Sequence, residues 1–338
     1  MTKNHRLLAA CLLVASLFAC TREDKIPTIE EILAMEKTRI HAFLEGKTYT
    51  AIPHEYTDIY NRLTRDTIYV FNNDPTGKTP ATGQFALVDY DEMAFNGAYI
   101  ASTDPSRFIG EGLRVPYPFG GPACISFTPL SDGSIIPFCR AIQEISEGSS
   151  GEIVLSSALA GRGAGDYFYG RVQMHRVIPD IVAYERKLIT DYIDTLRFGG
   201  ATDADIFVEK SPTGDSITRV TVTHCQPSTG DTIAAFTTIE LTGTVYMLNE
   251  PALATPPDFL KRRVLTIGES QPVSCTLASL TPYIGQQAIH RLRKGDEATL
   301  IVPFSVMDKV LPIFDLQEET SIPPYSTLVY RIKIEDAR

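Results

Sequence analysis

The chain contains no tryptophan, and beyond its first 20 residues it has no long apolar run. Without such runs it cannot be a protein that crosses a membrane repeatedly with helices. Basic residues are in deficit: 31 lysines and arginines against 41 acidic side chains leave a net charge of −10. An acidic chain with no basic cluster is repelled by phosphate backbones, so nucleic acid is not an expected partner. No CxxC pair occurs, and His5, His41, His54, His175, His224 and His290 are scattered with no HExxH among them. A zinc or other metal centre is therefore not expected. Serines form no GxSxG elbow, and no paired carboxylates stand at a spacing suited to acid–base chemistry. What is present is ordinary globular composition, 43% hydrophobic over 338 residues, a length that suits two domains.

The first 20 residues read as an address. Lys3 and Arg6 supply a positive start, and Leu7 to Ala19 is apolar but too short for a permanent span. The run stops at Ala19-Cys20, followed by the polar Thr21-Arg22-Glu23-Asp24. This resembles a bacterial lipoprotein signal, which implies cleavage before Cys20 and a diacylglycerol on its thiol. The acidic Glu23-Asp24 is similar to the cluster that accompanies surface export in Bacteroidetes-type lipoproteins. The implied location is the cell envelope, on a lipid anchor. Behind Cys20 the sequence keeps Cys124, Cys139, Cys225 and Cys275. In an oxidising compartment Cys124 with Cys139, or Cys225 with Cys275, are candidate disulfides, and buried free thiols are the alternative.

A long internal repeat organises the remainder. Ile26-Pro27 opens a segment with Ile32, Leu33, Glu36, Ile40, Phe43 and Leu44 on one helical face. Ile178-Pro179 opens another with Ile181, Tyr184, Leu188, Ile189, Tyr192 and Ile193 on one face. Both contain an Ala-x-Glu-basic core, at Ala34 to Lys37 and at Ala183 to Arg186. Pro27 and Pro179 suit the beginning of such helices. Further along, Ala141 to Gly148 precedes the strand-like Glu152-Ile-Val-Leu, as Ala288 to Gly295 precedes Ala298-Thr-Leu-Ile-Val. Each of these reads as a short helix stopped by glycine. The chain is expected to be a tandem of two α+β units with the break near Ile178 to Asp180. A period this long indicates duplication, since solenoid repeats run to about 20–50 residues.

The end of the chain carries the clearest family likeness. Arg293-Lys-Gly-Asp-Glu-Ala-Thr-Leu-Ile-Val-Pro303, then Ser321-Ile-Pro-Pro324-Tyr-Ser-Thr-Leu-Val-Tyr330-Arg-Ile-Lys-Ile-Glu-Asp, resembles the close of an FKBP-type peptidyl-prolyl cis-trans isomerase domain. That family ends with an "MKxGExAxLxIP" strand, a loop and "IPPxxxLxFxVEL". Gly230-Asp231-Thr232 and Gly243 to Tyr246 resemble the family's opening "GDxVxVHYxG". The first unit is similar through Gly83 to Tyr90, Gly97, Ile135 to Pro137, Glu147-Gly148 and Ala160 to Gly165.

The resemblance implies an α+β fold: two FKBP-like domains, each a bent antiparallel sheet around a short helix and each preceded by an amphipathic helix. The expected boundaries are a leader over 1–19, a lipidated linker and amphipathic helix over 20–65, and a first domain over 66–178. A connecting helix follows over 179–204, then a second domain over 205–338.

Prolyl isomerisation needs no cofactor, metal or nucleophile. The family pattern supplies a tyrosine, a Phe-Asp pair, a floor tryptophan, a loop tyrosine and an aromatic on the last strand. Carried over to the first unit, these fall on Tyr90, Ile100-Ala101, Phe138 as the floor substitute, Gly161, and Gly170 or Tyr169. Ile136 adds an apolar wall. In the second unit they fall on Thr237, Tyr246-Met247, Tyr283 or Ile284, Asp308 and Tyr330. The implied pocket candidates are thus Tyr90, Ile100, Ile136, Phe138, Tyr246, Tyr283 and Tyr330, with Cys20 as the lipidation site. Both pockets lack the aspartate and the tryptophan. The expected function is a weakly active isomerase acting on proline-containing segments of exported proteins. The alternative is a noncatalytic FKBP-like module that binds a peptide, protein or glycan.

Overall fold

The computed structural model describes residues 27–57, 63–72, 76–104, 121–210, 217–223, 233–234, 237–250, 258–260, 262–276, 292–304 and 324–337. Cys20, Cys225, Tyr283, Ile284 and Asp308 lie outside the described residues. Helix α1 runs Ile29–Leu44, and its start follows the local chemistry. Thr28 accepts from the Glu31 amide while the Glu31 carboxylate accepts from the Thr28 amide, a reciprocal cap. Helix α3, Ile181–Phe198, is capped by Asp180, whose carboxylate accepts from the Val182 and Ala183 amides.

Among the described residues fourteen strands form two seven-stranded sheets, all pairs antiparallel. The first holds β1 (Thr50–Thr57), β2 (Leu63–Asn72), β3 (Phe85–Met93), β4 (Tyr99–Ser102), β5 (Ala123–Ser126), β6 (Ser150–Leu155) and β7 (Phe168–Ile178). Its order is β1-β2-β6-β7-β3-β4, with β5 also on β3. The second holds β8 (Ile206–Lys210), β9 (Ile217–Thr223), β10 (Thr238–Met247), β11 (Arg262–Ile267), β12 (Val273–Thr276), β13 (Glu297–Val302) and β14 (Leu328–Ala337). There β8-β9-β13-β14-β10-β11 pair in that order, with β12 also on β10. Strand for strand the second sheet repeats the first. The architecture is α+β, two antiparallel sheets with few helices. The first sheet already begins at Thr50, ahead of residue 66 where the sequence reading started its domain.

Each sheet has one face on a core and the other under a long helix, as period-2 alternation allows. On β3, Ala86 and Val88 enter the first core with Ile68, Val172 and Met174. Helix α1 covers the opposite face, setting Ile40 and Leu44 on Met93, Val154 and Tyr169. Helix α3 does the same for the second sheet, with Leu188, Ile189, Tyr192 and Ile193 on Ile301 and Val329.

A short helix, α2 (Pro137–Ile142), lies in the first core through Cys139, Ala141 and Ile142. It starts four residues before the helix expected from Ala141 to Gly148. Pro137 fixes the backbone for a first turn, and Gly148, at φ 79°, turns the chain into β6 instead of ending the helix.

Among the described residues Cys124, Cys139 and Cys275 are free thiols, the unpaired alternative. Cys139 packs into the core, while Cys124 lines a cavity outside the sheet, so the two point to different sides. Burial pushes their thiols up, to about 12 for Cys124 and about 11 for Cys139. Among the described residues no helix is long and apolar enough to cross a membrane.

Candidate functional site

A cleft of about 430 Å³ opens on the core side of the first sheet. Strand β3 contributes Tyr90 and Glu92, alternate residues that share one face. Ile136 and Phe138 come from the start of α2, Leu155 from the end of β6, and Phe168 from β7. The Phe138 ring stands edge-on between Tyr90 at 5.8 Å and Phe168 at 5.3 Å. Leu159, Ala160 and Arg162, from the loop between β6 and β7, form the remaining wall.

Three of the residues carried over from the family likeness therefore share this cleft: Tyr90, Ile136 and Phe138. Ile100 does not line it. It is exposed, and its neighbour Ala101 faces the cleft. The last-strand position is Gly170, and the aromatic there comes from two residues earlier. A Cβ on Gly170 would stand 2.6 Å from the Phe168 ring, so the absent side chain makes room for that ring. Phe168 was not a candidate in the sequence, because position-by-position comparison asks what occupies 170.

The polar element of the cleft is an ion pair that sequence reading also missed. Arg162 holds Glu92 with both guanidinium ends, Nη1 to Oε1 at 2.5 Å and Nη2 to Oε2 at 2.9 Å. Its hydrogen bond to Glu92 raises the Arg162 pKa above its ordinary value. The guanidinium carbon lies 5.4 Å from the Phe168 ring centre. A charged residue alone in the Gly161-Arg162-Gly163 run was the one available signal. Two of the five guanidinium N–H groups serve Glu92, and Nη1 also stands 3.7 Å from the Asp166 carboxylate.

The second unit does not repeat these side chains. Strand register sets Gly243 opposite Ile332 where the first unit has Tyr90 opposite Val172. Val245, opposite Tyr330, occupies the place of Glu92, opposite Gly170. The tyrosine position is therefore Gly243 rather than Thr237, and Tyr246 is no pocket residue. Tyr246 packs on the outer face with the α3 cluster, 5.8 Å from the Arg331 guanidinium. Tyr330 is buried at 4% exposure within the second core.

A larger cavity, about 520 Å³, lies between the units. Leu87, Asp89 and Cys124 line it from the first sheet, Tyr184 from α3, and Glu250 and Tyr325 from the second unit. Arg176 reaches Glu250 at 2.5 Å, Tyr184 donates to Glu250 at 3.0 Å, and Phe85 meets the Tyr325 ring at 5.0 Å. Among the described residues no group of three His, Cys, Asp or Glu side chains could hold a metal ion.

Beside this cavity Glu185 is buried, and desolvation raises its pKa above the usual carboxylate value. Below its unfolded pKa, Glu185 is protonated in both states and adds no pH dependence. Between the unfolded and folded values the native state binds the extra proton, so stability falls as pH rises through that window. The Glu185→Gln variant should lose this slope, so its stability relative to the parent should increase with pH. Denaturant unfolding between pH 4.5 and 8 measures it, and parallel curves would contradict the burial argument.

No family model matches the chain, and no curated protein does. Among solved structures, the chain is similar to the three FKBP domains of wheat FKBP73, at 11% identity and TM-score 0.28, covering 80% of this chain and 94% of that one. It is similar to FkpA from Escherichia coli at 17% identity and TM-score 0.28, covering 46% of this chain and 64% of that one. The N-terminal domain of FKBP42 from Arabidopsis thaliana gives 14% identity and TM-score 0.27, covering 41% of this chain and 99% of that one.

Proposed function

We propose that the chain is an FKBP-type peptidyl-prolyl isomerase of the cell envelope, tethered through Cys20, whose first unit acts weakly on proline-containing segments of exported proteins. The observation that carries this reading is the single cleft walled by Tyr90, Phe138 and Phe168. An X–Pro bond turns over tens to hundreds of seconds unaided, because the amide loses resonance when twisted. An apolar aromatic site favours the twisted, less delocalised amide over the planar one, and that difference in binding is the catalysis. Arg162 supplies N–H donors to a peptide carbonyl at the cleft wall. The second unit, with Gly243 and Val245 at the matching positions, serves as support.

The second reading, a binding module without turnover, is favoured by one specific feature. Ala101 stands where the family likeness asks for a carboxylate, and the acid of the cleft, Glu92, is already held by Arg162. A protease-coupled assay on a proline peptide separates the two. The isomerase reading expects acceleration over background and an approximately tenfold loss of kcat/KM, about 1.4 kcal/mol, in Phe138→Leu. Absence of acceleration at high protein concentration, with peptide binding still lost in that variant, selects the binding module.

A further inference from the structure

Both long helices bury a glutamate at the same place in their repeat, Glu36 at 3% exposure and Glu185 at 6%. Packing a helix on a sheet does not require this, since leucine would fill the site without the cost of desolvating a carboxylate. What the two carboxylates hold explains them. Oε1 of Glu36 accepts from the Ser157 amide at 2.7 Å, and Oε2 accepts from the Ser157 hydroxyl at 2.6 Å and the Gly165 amide at 2.9 Å. Ser157 and Gly165 bracket the loop that carries Leu159, Ala160 and Arg162 into the cleft. The loop presses so closely on the helix that a Cβ on Gly165, itself at φ 88°, would stand 2.9 Å from Ile32. From inside the loop, the Arg162 amide donates back to the Ser157 carbonyl at 2.8 Å.

The second unit makes the same connection with different residues. Oε1 of Glu185 accepts from the Phe304 amide at 2.7 Å and from the Thr327 hydroxyl. Phe304 follows β13 and Thr327 precedes β14, the counterparts of β6 and β7. Two helices of different sequence thus hold the two ends of the corresponding loop.

We infer that Glu36 is a positioning residue for the cleft: from a helix on the far face of the sheet it fixes the loop that presents Arg162. The functional part of this inference rests on the peptide reading above, while its geometric part does not. A corollary separates the two glutamates. Donors fall on both oxygens of Glu36, so an amide nitrogen at either one faces a donor. Both donors of Glu185 fall on one oxygen, so glutamine can keep both bonds.

The test uses the full chain with Glu36→Gln and Glu185→Gln, reading the Arg162 side-chain Nε–H resonance, amide exchange across 157–165, and KM separately from kcat. For Glu36→Gln in a folded chain, the expected results are a shifted Arg162 resonance and about tenfold faster exchange in the loop. KM should rise about fivefold, with kcat little changed. Glu185→Gln should leave all three readouts at their parent values. An unmoved Arg162 resonance in folded Glu36→Gln overturns the inference, whether or not the chain turns over a peptide. A shifted resonance with unchanged KM overturns the functional part and leaves a structural staple. If neither protein turns over peptide, the isomerase reading fails and the Arg162 resonance still decides the inference. Should Glu36→Gln not fold, Ser157→Ala removes one of the three donors and is read by the same resonance.

Discussion

Alanine at Gly243 is expected to destabilise the second unit strongly, and tyrosine there cannot rebuild the pocket of the first. A Cβ at this position would stand 2.3 Å from the Arg331 carbonyl oxygen and 3.0 Å from the Ile332 Cα. Both are backbone atoms of β14, the strand between β10 and β13, so no rotamer change relieves the clash. Parting the strands breaks a ladder in the middle of the sheet. The cost should reach about 3 kcal/mol or more, the upper end of what overpacking imposes. Gly163, where an added Cβ meets nothing within 4 Å, is the control and should stay within about 0.5 kcal/mol of the parent. Denaturant unfolding followed separately in the two units measures both. A Gly243→Ala chain with a parental midpoint would mean that β10 and β14 lie farther apart than described. The consequence for function is direct. Gly243 is the counterpart of Tyr90, and the close approach of β14 excludes any side chain from that place. The second unit lacks the tyrosine for a steric reason.

The residues that announce local structure were legible in the sequence. Pro27 and Pro179 precede the two long helices, whose apolar faces follow the 3.6-residue period. The β-rich runs at Glu152, Ala298 and Leu328 are strands, and the repeat of helix plus sheet reappears in the matched order of the two sheets. Register was not legible. The tyrosine position expected at Thr237 lies six residues on, at Gly243, and irregularities at Glu240/Leu241 and Val245/Tyr246 interrupt β10. A shift of one residue reverses every side chain in a strand, and nothing in the composition of β10 marks where a bulge falls. Tyr246, matched in sequence to Ile100 of β4, lies instead on β10, the counterpart of β3, and faces α3.

The cleft was legible where a side chain acts from its own position and hidden where it acts from another. Tyr90, Ile136 and Phe138 belong to the first kind. Phe168 fills the place above Gly170, and Arg162 meets Glu92 across 70 residues, so neither could be found by asking what stands at a family position. Glu36 was placed on the apolar face of its helix from the sequence, but its three donors come from a loop more than a hundred residues away. Duplication offered a clue, since the Ala-x-Glu-basic core occurs in both helices. A carboxylate kept twice on a buried face has a partner that folding must bring to it.

The two halves of the cleft ion pair should respond unequally to removal, and the asymmetry tests whether the pair belongs to the site. The Glu92 side chain is only 8% exposed on an inward-facing strand position, whereas that of Arg162 is 24% exposed on a loop. Arg162→Met leaves a mostly buried carboxylate without its partner, at a cost of about 3 kcal/mol, the lower end for a broken buried pair. Glu92→Gln leaves a guanidinium that can turn outward, toward Asp166 at 3.7 Å, and should cost about 1 kcal/mol. The smaller perturbation has the larger functional effect. With its partner neutral, Arg162 is available to a ligand carboxylate, so a proline peptide with an acidic neighbour should bind about fivefold tighter to Glu92→Gln. That gain should disappear in 1 M salt, where the Debye length is about 3 Å. Denaturant melts and peptide titrations at two ionic strengths measure both quantities. Equal losses of stability in the two variants would show that Glu92 is not confined to the cleft. Unchanged binding of the acidic peptide would show that Arg162 does not face the ligand.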